Sequence, residues 1–340
     1  MLRNIQEWSI QHAQQTEHAH WFMALPELMA FIAIVILRGL TKVLSLCDCW
    51  SANLGNPQII ETMPRNRFQD IMRHLRFDDR STRSDRAKTD MFAAISSVWG
   101  SFVTNCITSY NPGLHITVDE QLFPSKTRCC FLQYIATKPD KFVIKFWVAC
   151  DLKSKYICNV LPHLGKDPSR PSGERLSENV VMRLMEPFLD KGRNVSTDNF
   201  FTSLTIAQKL LSRKTTILGT VNKICQEIPQ SARQTDRSEF TTQVCFWSFV
   251  VFRINSSKCV IVCKSAMKIT ISYLLGVFNH CCHTDGVFGQ TEEDVYVLSS
   301  MHSMVQTDNT TKRKPNTVTL YNTTKCGVDV MDQMVREYTD

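Results

Sequence analysis

The sequence has no Cys-x-x-Cys pair, no repeat at a fixed period and few chain-breaking residues, with 12 glycines and 12 prolines in 340 positions. So little glycine and proline excludes collagen-like and linker-type chains. Without Cys-x-x-Cys the common zinc modules lose their usual spacing. Cys259, Cys263, His280, Cys281, Cys282 and His283 are metal-capable, but their spacings fit no usual zinc module. Long apolar runs are also missing. The longest early one, Leu28 to Leu37, ends at Arg38 and suits a buried helix rather than a membrane span, so no membrane partner is expected. The polar N-terminus MLRNIQEWSIQHAQQ carries no secretory signal. The 14 cysteines are therefore expected to be mostly free thiols in a reducing compartment.

What remains is an ordinary globular composition, 43% hydrophobic and 21% charged, long enough for two or three domains. A formal net charge of +7 leans toward polyanionic partners.

Residues 1–110 read as helical. Pro26 and Glu27 sit where a helix starts, ahead of the mostly apolar stretch Leu28 to Leu46. From Arg65 to Phe77 the residues Phe68, Ile71, Met72 and Leu75 repeat at helical spacing, with Arg67, Arg73, His74 and Arg76 assigned to the surface. Ile95, Val98, Trp99 and Phe102 repeat the pattern, and Asn111-Pro112-Gly113 closes the block.

Residues 115–222 change character. HITVDEQ, Phe142 to Ala149 and Tyr156 to Leu161 read as strands, Glu174 to Leu189 as a helix, NVST as a strand, Leu204 to Leu211 as a helix and Thr216 to Val221 as a strand. Three leading strands followed by alternating α and β elements predict an α/β fold in the order of an RNase H-like mixed sheet. Residues 223–294 stand apart, with apolar stretches Val244 to Ile254 and Ile269 to Phe278 and six cysteines. They read either as an inserted β-rich subdomain or as sequence not selected to fold in this context. Residues 295–340 return to regular structure, with a strand at Val295 to Leu298 and a last helix from near Gly327.

Asp119 follows the strand HITV and Asp198 follows VST, while Asp329 and Asp332 share a face of the last helix. Carboxylates at strand ends point into the crevice where α/β folds bind ligands, and three converging there would suit a hard cation such as Mg²⁺. Spacing alone does not single them out, because the chain has 32 acidic residues and a strand-end Asp is also a common turn former or helix cap.

Longer strings do. SLCDCWSANLGNP, MPRNRFQDIMRHLRF, VDEQLFPSKTRCCFLQYIATKPDKFVIKFWVACD, STDNFFTSLTIAQKLL and YNTTKCGVDVMDQM occur in this order. Together they resemble the piggyBac transposase family, especially its transposable element-derived proteins, over most of residues 25–222 and 295–340. The resemblance implies an RNase H-like core, a helical DNA-binding and dimerisation region in 1–110, and an insertion between the second and third aspartates. It implies cleavage and strand transfer of DNA at TTAA-flanked transposon ends, with two Mg²⁺ ions, in the nucleus and as a homodimer. By motif, Asp119 in VDEQ, Asp198 in TDNFF and Asp329 in GVDVMDQ match the catalytic, metal-holding aspartates, and Asp332 matches a neighbouring acidic residue of the site.

Between Asp119 and Arg175 ten basic residues stand against six acidic ones. Lys126, Arg128, Lys138 and Lys141 are the candidates to track a phosphate backbone, and Lys312-Arg313-Lys314 is a short candidate for nuclear import. The sequence departs from the family in three places. It stops eleven residues after Asp329, without the further core helix and the Cys-rich tail, so no zinc is expected. Residues 240–294 do not resemble the family's insertion. Val143 stands where relatives tend to have Gly. The expected function is a piggyBac-like transposase domain, incomplete or inactive. The competing readings are a domesticated, non-enzymatic DNA-binding protein and a decayed transposon copy.

Overall fold

A computed structural model describes residues 1–16, 19–41, 45–51, 53–165, 170–222, 242–248, 257–264, 294–302, 306 and 315–337. The first block is helical: α1 (Leu2–Thr16), α2 (Leu25–Thr41), α3 (Pro57–Thr62), α4 (Arg65–His74), α5 (Arg80–Arg86) and α6 (Ser96–Ser109), with a 3-10 turn at Leu46–Trp50. Its core gathers Leu28, Phe31 and Ile34 of α2 and Phe68 and Ile71 of α4, at every third residue of each helix, joined by Met23 and by Ile59 of α3. Phe31 stacks on Phe68 with ring centroids 4.6 Å apart. Two expectations change. Met72 is exposed, and His74 is buried, because its ring lies against Trp21 and near His12 inside the block. The helix α5, RSTRSDR, buries none of its own side chains. It is held by the Asp79 cap on the Ser81 amide and by Asp78, a buried carboxylate bonded by Arg83 and Arg86.

Then come β1 (His115–Pro124), β2 (Gln133–Tyr134), β3 (Phe142–Asp151), β4 (Ile157–Pro162), α7 (Leu176–Met185), β5 (Asn194–Thr197), α8 (Leu204–Ser212) and β6 (Thr216–Thr220), matching the expected order apart from the short β2. The chain continues with β7 (Thr242–Ser248), β8 (Ser257–Lys264), β9 (Asp294–Ser299), α9 (Asn316–Thr324) and α10 (Gly327–Arg336). Strands β4, β3 and β1 form an antiparallel meander, and β5 and β6 run parallel to β1. Beyond β6 the sheet continues antiparallel through β9, β8 and β7. The described strands from the 223–294 block thus extend the main sheet. Ile269 to Phe278 and the His280 to His283 cluster lie outside the described residues.

Alternation along the strands sorts the two faces. Ile116, Val118, Trp147, Ala149 and Val195 pack under α7 and α8. On the opposite face Val148, Cys150 and Val160 meet Val328 and Met331 of α10, with Trp99 and Val103 of α6 beside them. Cys47, Cys49, Cys106, Cys129, Cys130, Cys150, Cys158 and Cys326 are free, and burial pushes the Cys150 and Cys158 thiols up to about 12. Among the described residues no helix is long and apolar enough to cross a membrane.

The helical block is tied to the sheet at 110–113. Buried Asp151 accepts from the Gly113 amide at 2.8 Å and the Tyr110 hydroxyl at 3.2 Å. Buried Arg193 donates to Asn111 Oδ1 at 2.7 Å and to the carbonyls of Pro112, Gly113 and Phe188.

Candidate active site

Asp119 lies inside β1 rather than at its end, because β1 pairs with β3 as far as Pro124. The parallel pairing to β5 is shorter and stops at Val118 opposite Thr197. Asp119 and Asp198 are therefore the next residues along two adjacent parallel strands, where β5 gives out.

Thr117, Asp119 and Gln121 share the sheet face that meets α10. The Thr117 hydroxyl donates to the Thr324 carbonyl at 2.8 Å, just ahead of α10, and Gln121 Nε2 donates to Asp332 Oδ1 at 3.0 Å. Between these two anchors Asp119 faces Asp329. Gly327 makes the approach feasible, since a β-carbon there would stand 2.3 Å from Thr117 Oγ1. A cleft of about 270 Å³ opens between strand and helix, lined by Asp119, Glu120, Lys138, Asp140, Asp329, Asp332 and Arg336 among others.

The electrostatics are those of crowded like charges. Burial, chiefly, and then the charges of Asp198, Asp329 and Glu120 push the Asp119 carboxyl up to about 7, against a counter-pull from the Glu120 amide. Asp198 is raised by burial and by Glu120, with the Phe200 and Phe201 amides and Lys145 pulling the other way. Asp329 sits at the exposed rim. The protein walls around it raise its pKa most, Asp332 and Glu120 add to the rise, and Lys138 and Lys325 oppose it. Tyr321 of α9 is pushed up to about 12, mainly by burial, with Asp198, Asp119 and Asp329 all contributing. Its hydroxyl lies 3.2 Å from Thr220 Oγ1.

Asp119 thus lies in the field of both Asp198 and Asp329, and Tyr321 in that of all three. Asp332 is differently placed: besides Gln121 it accepts from Arg336 Nε at 2.9 Å, and Arg336 also reaches the Leu122 carbonyl. Among the described residues no group of three or more His, Cys, Asp or Glu side chains is gathered closely enough to hold a metal ion as it stands. Lys126 and Arg128 are exposed on the β1–β2 connection, Lys138 and Lys141 on the β2–β3 connection, and of these four Lys138 lines the cleft. Gln121, Tyr321 and Arg336 were not singled out by the sequence reading. The period of two along β1 was a usable signal for Gln121, and the i,i+4 spacing to Asp332 for Arg336. Tyr321 carried no comparable signal.

The strand order β4-β3-β1-β5-β6, with acidic residues where the parallel strands end and on a helix packed across them, defines an RNase H-like core. The chain belongs to the family described as Transposase IS4, whose sequence profile it matches over residues 2–340. It is similar to PiggyBac transposable element-derived protein 3 of Homo sapiens, 23% identical over 330 residues, covering 94% of this chain and 51% of that protein. The human chimeric ERCC6-PGBD3 protein matches at the same identity, with 28% of its length covered. Among solved structures, the cryo-EM piggyBac transposase synaptic complex with hairpin DNA superposes with a TM-score of 0.82 at 30% identity, over 99% of this chain and 66% of that one. The chain spans about half the length of the first of these relatives. It is a piggyBac-like, transposase-derived domain.

Proposed function

We propose that the cleft between β1, the end of β5 and α10 is a site for Mg²⁺-dependent cleavage and strand transfer of DNA at TTAA-flanked ends. The observation that carries this is the Asp119 carboxyl, pushed up to about 7 by burial and by Asp198 and Asp329. A buried carboxyl pushed up by two neighbouring carboxylates is the electrostatic situation that a divalent cation relieves. The donor set is all oxygen, which fits a hard ion. Asp119, Asp198 and Asp329 would hold it. Bound there, Mg²⁺ supplies activation of a water or a 3′-hydroxyl and stabilises the leaving oxygen.

The protein's own groups do the positioning. Adjacent strands fix Asp119 and Asp198. Gln121 and Arg336 hold Asp332, and with it α10, against β1. Lys138 at the cleft, with Lys126, Arg128 and Lys141, is proposed to take the phosphate backbone. The proposal includes a homodimer acting in the nucleus, with Lys312-Arg313-Lys314, outside the described residues, as import signal.

A second reading is a DNA-binding protein that keeps this scaffold without strand transfer; it is favoured by the fact that, among the described residues, no three or more His, Cys, Asp or Glu side chains are grouped to hold a metal ion. Purified protein on a TTAA-flanked donor duplex with Mg²⁺, beside Asp119→Asn and Asp198→Asn, separates the two. Mg²⁺-dependent nicking lost in both variants supports cleavage. Salt-sensitive binding without nicking supports the second reading. Nicking that persists in both variants removes the aspartates from the chemistry.

A further inference from the structure

Two residues beyond Asp198, Phe200 presents its ring to solvent, 48% exposed, while the adjacent Phe201 is 1% exposed. A single exposed aromatic is ordinary on a protein surface. Phe200 differs in how it is held. One face lies on Trp147, with ring centroids 5.6 Å apart and planes within 10°. The ring meets Phe201 in a T-shaped contact at 5.0 Å and 86°, and Phe201 in turn meets Trp147 at 5.4 Å. The Phe200 amide donates to Asp198 Oδ1 at 3.0 Å. Ring and carboxylate are thus fixed to each other through one residue's backbone. Lys145 places its ammonium 4.1 Å from the centre of the Trp147 ring and 5.7 Å from that of Phe200, paired with Glu120.

We infer that Phe200 is a stacking platform for one unpaired nucleobase beside the phosphate on which the Asp198 site acts. The inference rests on the proposed function, and the occupant follows from the surroundings. The half-exposed ring is flat and already oriented, so a planar ligand orders little by landing on it. The neighbouring cation suits a planar group carried on a phosphate chain. A fully paired duplex shows proteins its base edges, so the base received must be unstacked.

The test uses the full chain in EDTA, so that nothing is cleaved. The probes are a TTAA duplex carrying one unpaired 2-aminopurine beside that sequence, and its fully paired counterpart. Wild-type protein is expected to quench the 2-aminopurine fluorescence. Phe200→Ala is expected to lose the quenching and to bind the unpaired probe roughly tenfold more weakly, with affinity for the paired duplex unchanged. Phe200→Trp should keep both properties. Phe200→Leu retains apolar bulk and guards against a folding artefact, and it should behave like Phe200→Ala. Quenching retained in Phe200→Ala or Phe200→Leu overturns the platform and leaves the DNA reading standing. Failure of the wild-type chain to bind either probe overturns both.

Discussion

Gly327 meets Thr117 so closely that a β-carbon on the glycine would stand 2.3 Å from the threonine Oγ1 and 2.8 Å from its Cβ. Neither strand nor helix has slack there, because the same hydroxyl is bonded to the Thr324 carbonyl. Gly327→Ala must therefore push α10 away from β1. The expected cost is about 1–3 kcal/mol, the usual range for overpacking, read as a melting temperature lower by a few degrees. Nicking should fall further than stability does, since Asp329 lies two residues on. A variant that melts and nicks like wild type would show that the contact relaxes freely.

Asp119 binds its proton up to about 7 in the folded chain against an ordinary value of 3.8. Between those values the folded state holds a proton that the unfolded chain has released, so this group's contribution to stability falls as pH rises through the window. Asp119→Asn removes the penalty. In EDTA the variant should melt above wild type at about pH 8 and level with it at about pH 3.5, a difference on the order of 1–3 kcal/mol at the high end. Mg²⁺ should close the gap by stabilising wild type alone. Equal melting of the two proteins at both pH values would contradict the crowding of the three carboxylates.

Arg193 should not tolerate lysine. Its guanidinium fans across Asn111, Pro112, Gly113 and Phe188 at a site 5% exposed. A lysine keeps the charge and loses the fork, leaving carbonyls and the Asn111 side chain short of donors. We expect Arg193→Lys to lose about 2 kcal/mol, seen in urea as a lower midpoint with an unchanged slope. An unshifted midpoint would mean that the 110–113 connection is held by Asp151 alone.

In the helical block Arg67 donates to both oxygens of Glu27, at 2.6 and 2.9 Å, to Asp70 at 2.8 Å and to the Phe22 carbonyl, with Trp21 under its guanidinium. The hydrogen bond to Arg67 is the main reason Glu27 sits below its usual range. A lowered acid contributes stability that is present above its unfolded value and lost as pH falls through its folded one. Arg67→Met should therefore melt below wild type at neutral pH, with the difference shrinking as pH falls below about 4. A difference that stays constant with pH would assign the loss to packing on Trp21 instead.

The strand and helix order from His115 to Val221 was legible because apolar spacing there agrees with the final environment: strands alternate against α7 and α8, and α7 buries Val180, Val181 and Leu184 at helical spacing. The start of α10 at Gly327 was legible too. The sequence reading ended β1 at Gln121, since only pairing with β3, distant in sequence, carries the strand on to Pro124. His74 looked like surface because a ring wedged against Trp21 leaves no periodic trace. The continuation of the sheet through β8 and β7 is long-range pairing, which local pattern does not encode. Asp119, Asp198 and Asp329 were legible through family strings. The effect of Asp198 and Asp329 on Asp119, and the engagement of Asp332 by Gln121 and Arg336, belong to tertiary structure alone.

The contact between Thr117 and the Thr324 carbonyl closes a loop of 207 residues. During synthesis β1 and β5 are made long before α10, and the sheet beyond β6 is made in between. In a nascent chain Asp119 and Asp198 are therefore made well before Asp329. The acidic cleft closes only once contacts of this high sequence separation have formed. Translation of residues 1–222 alone leaves the cleft with Asp119 and Asp198 and without Asp329.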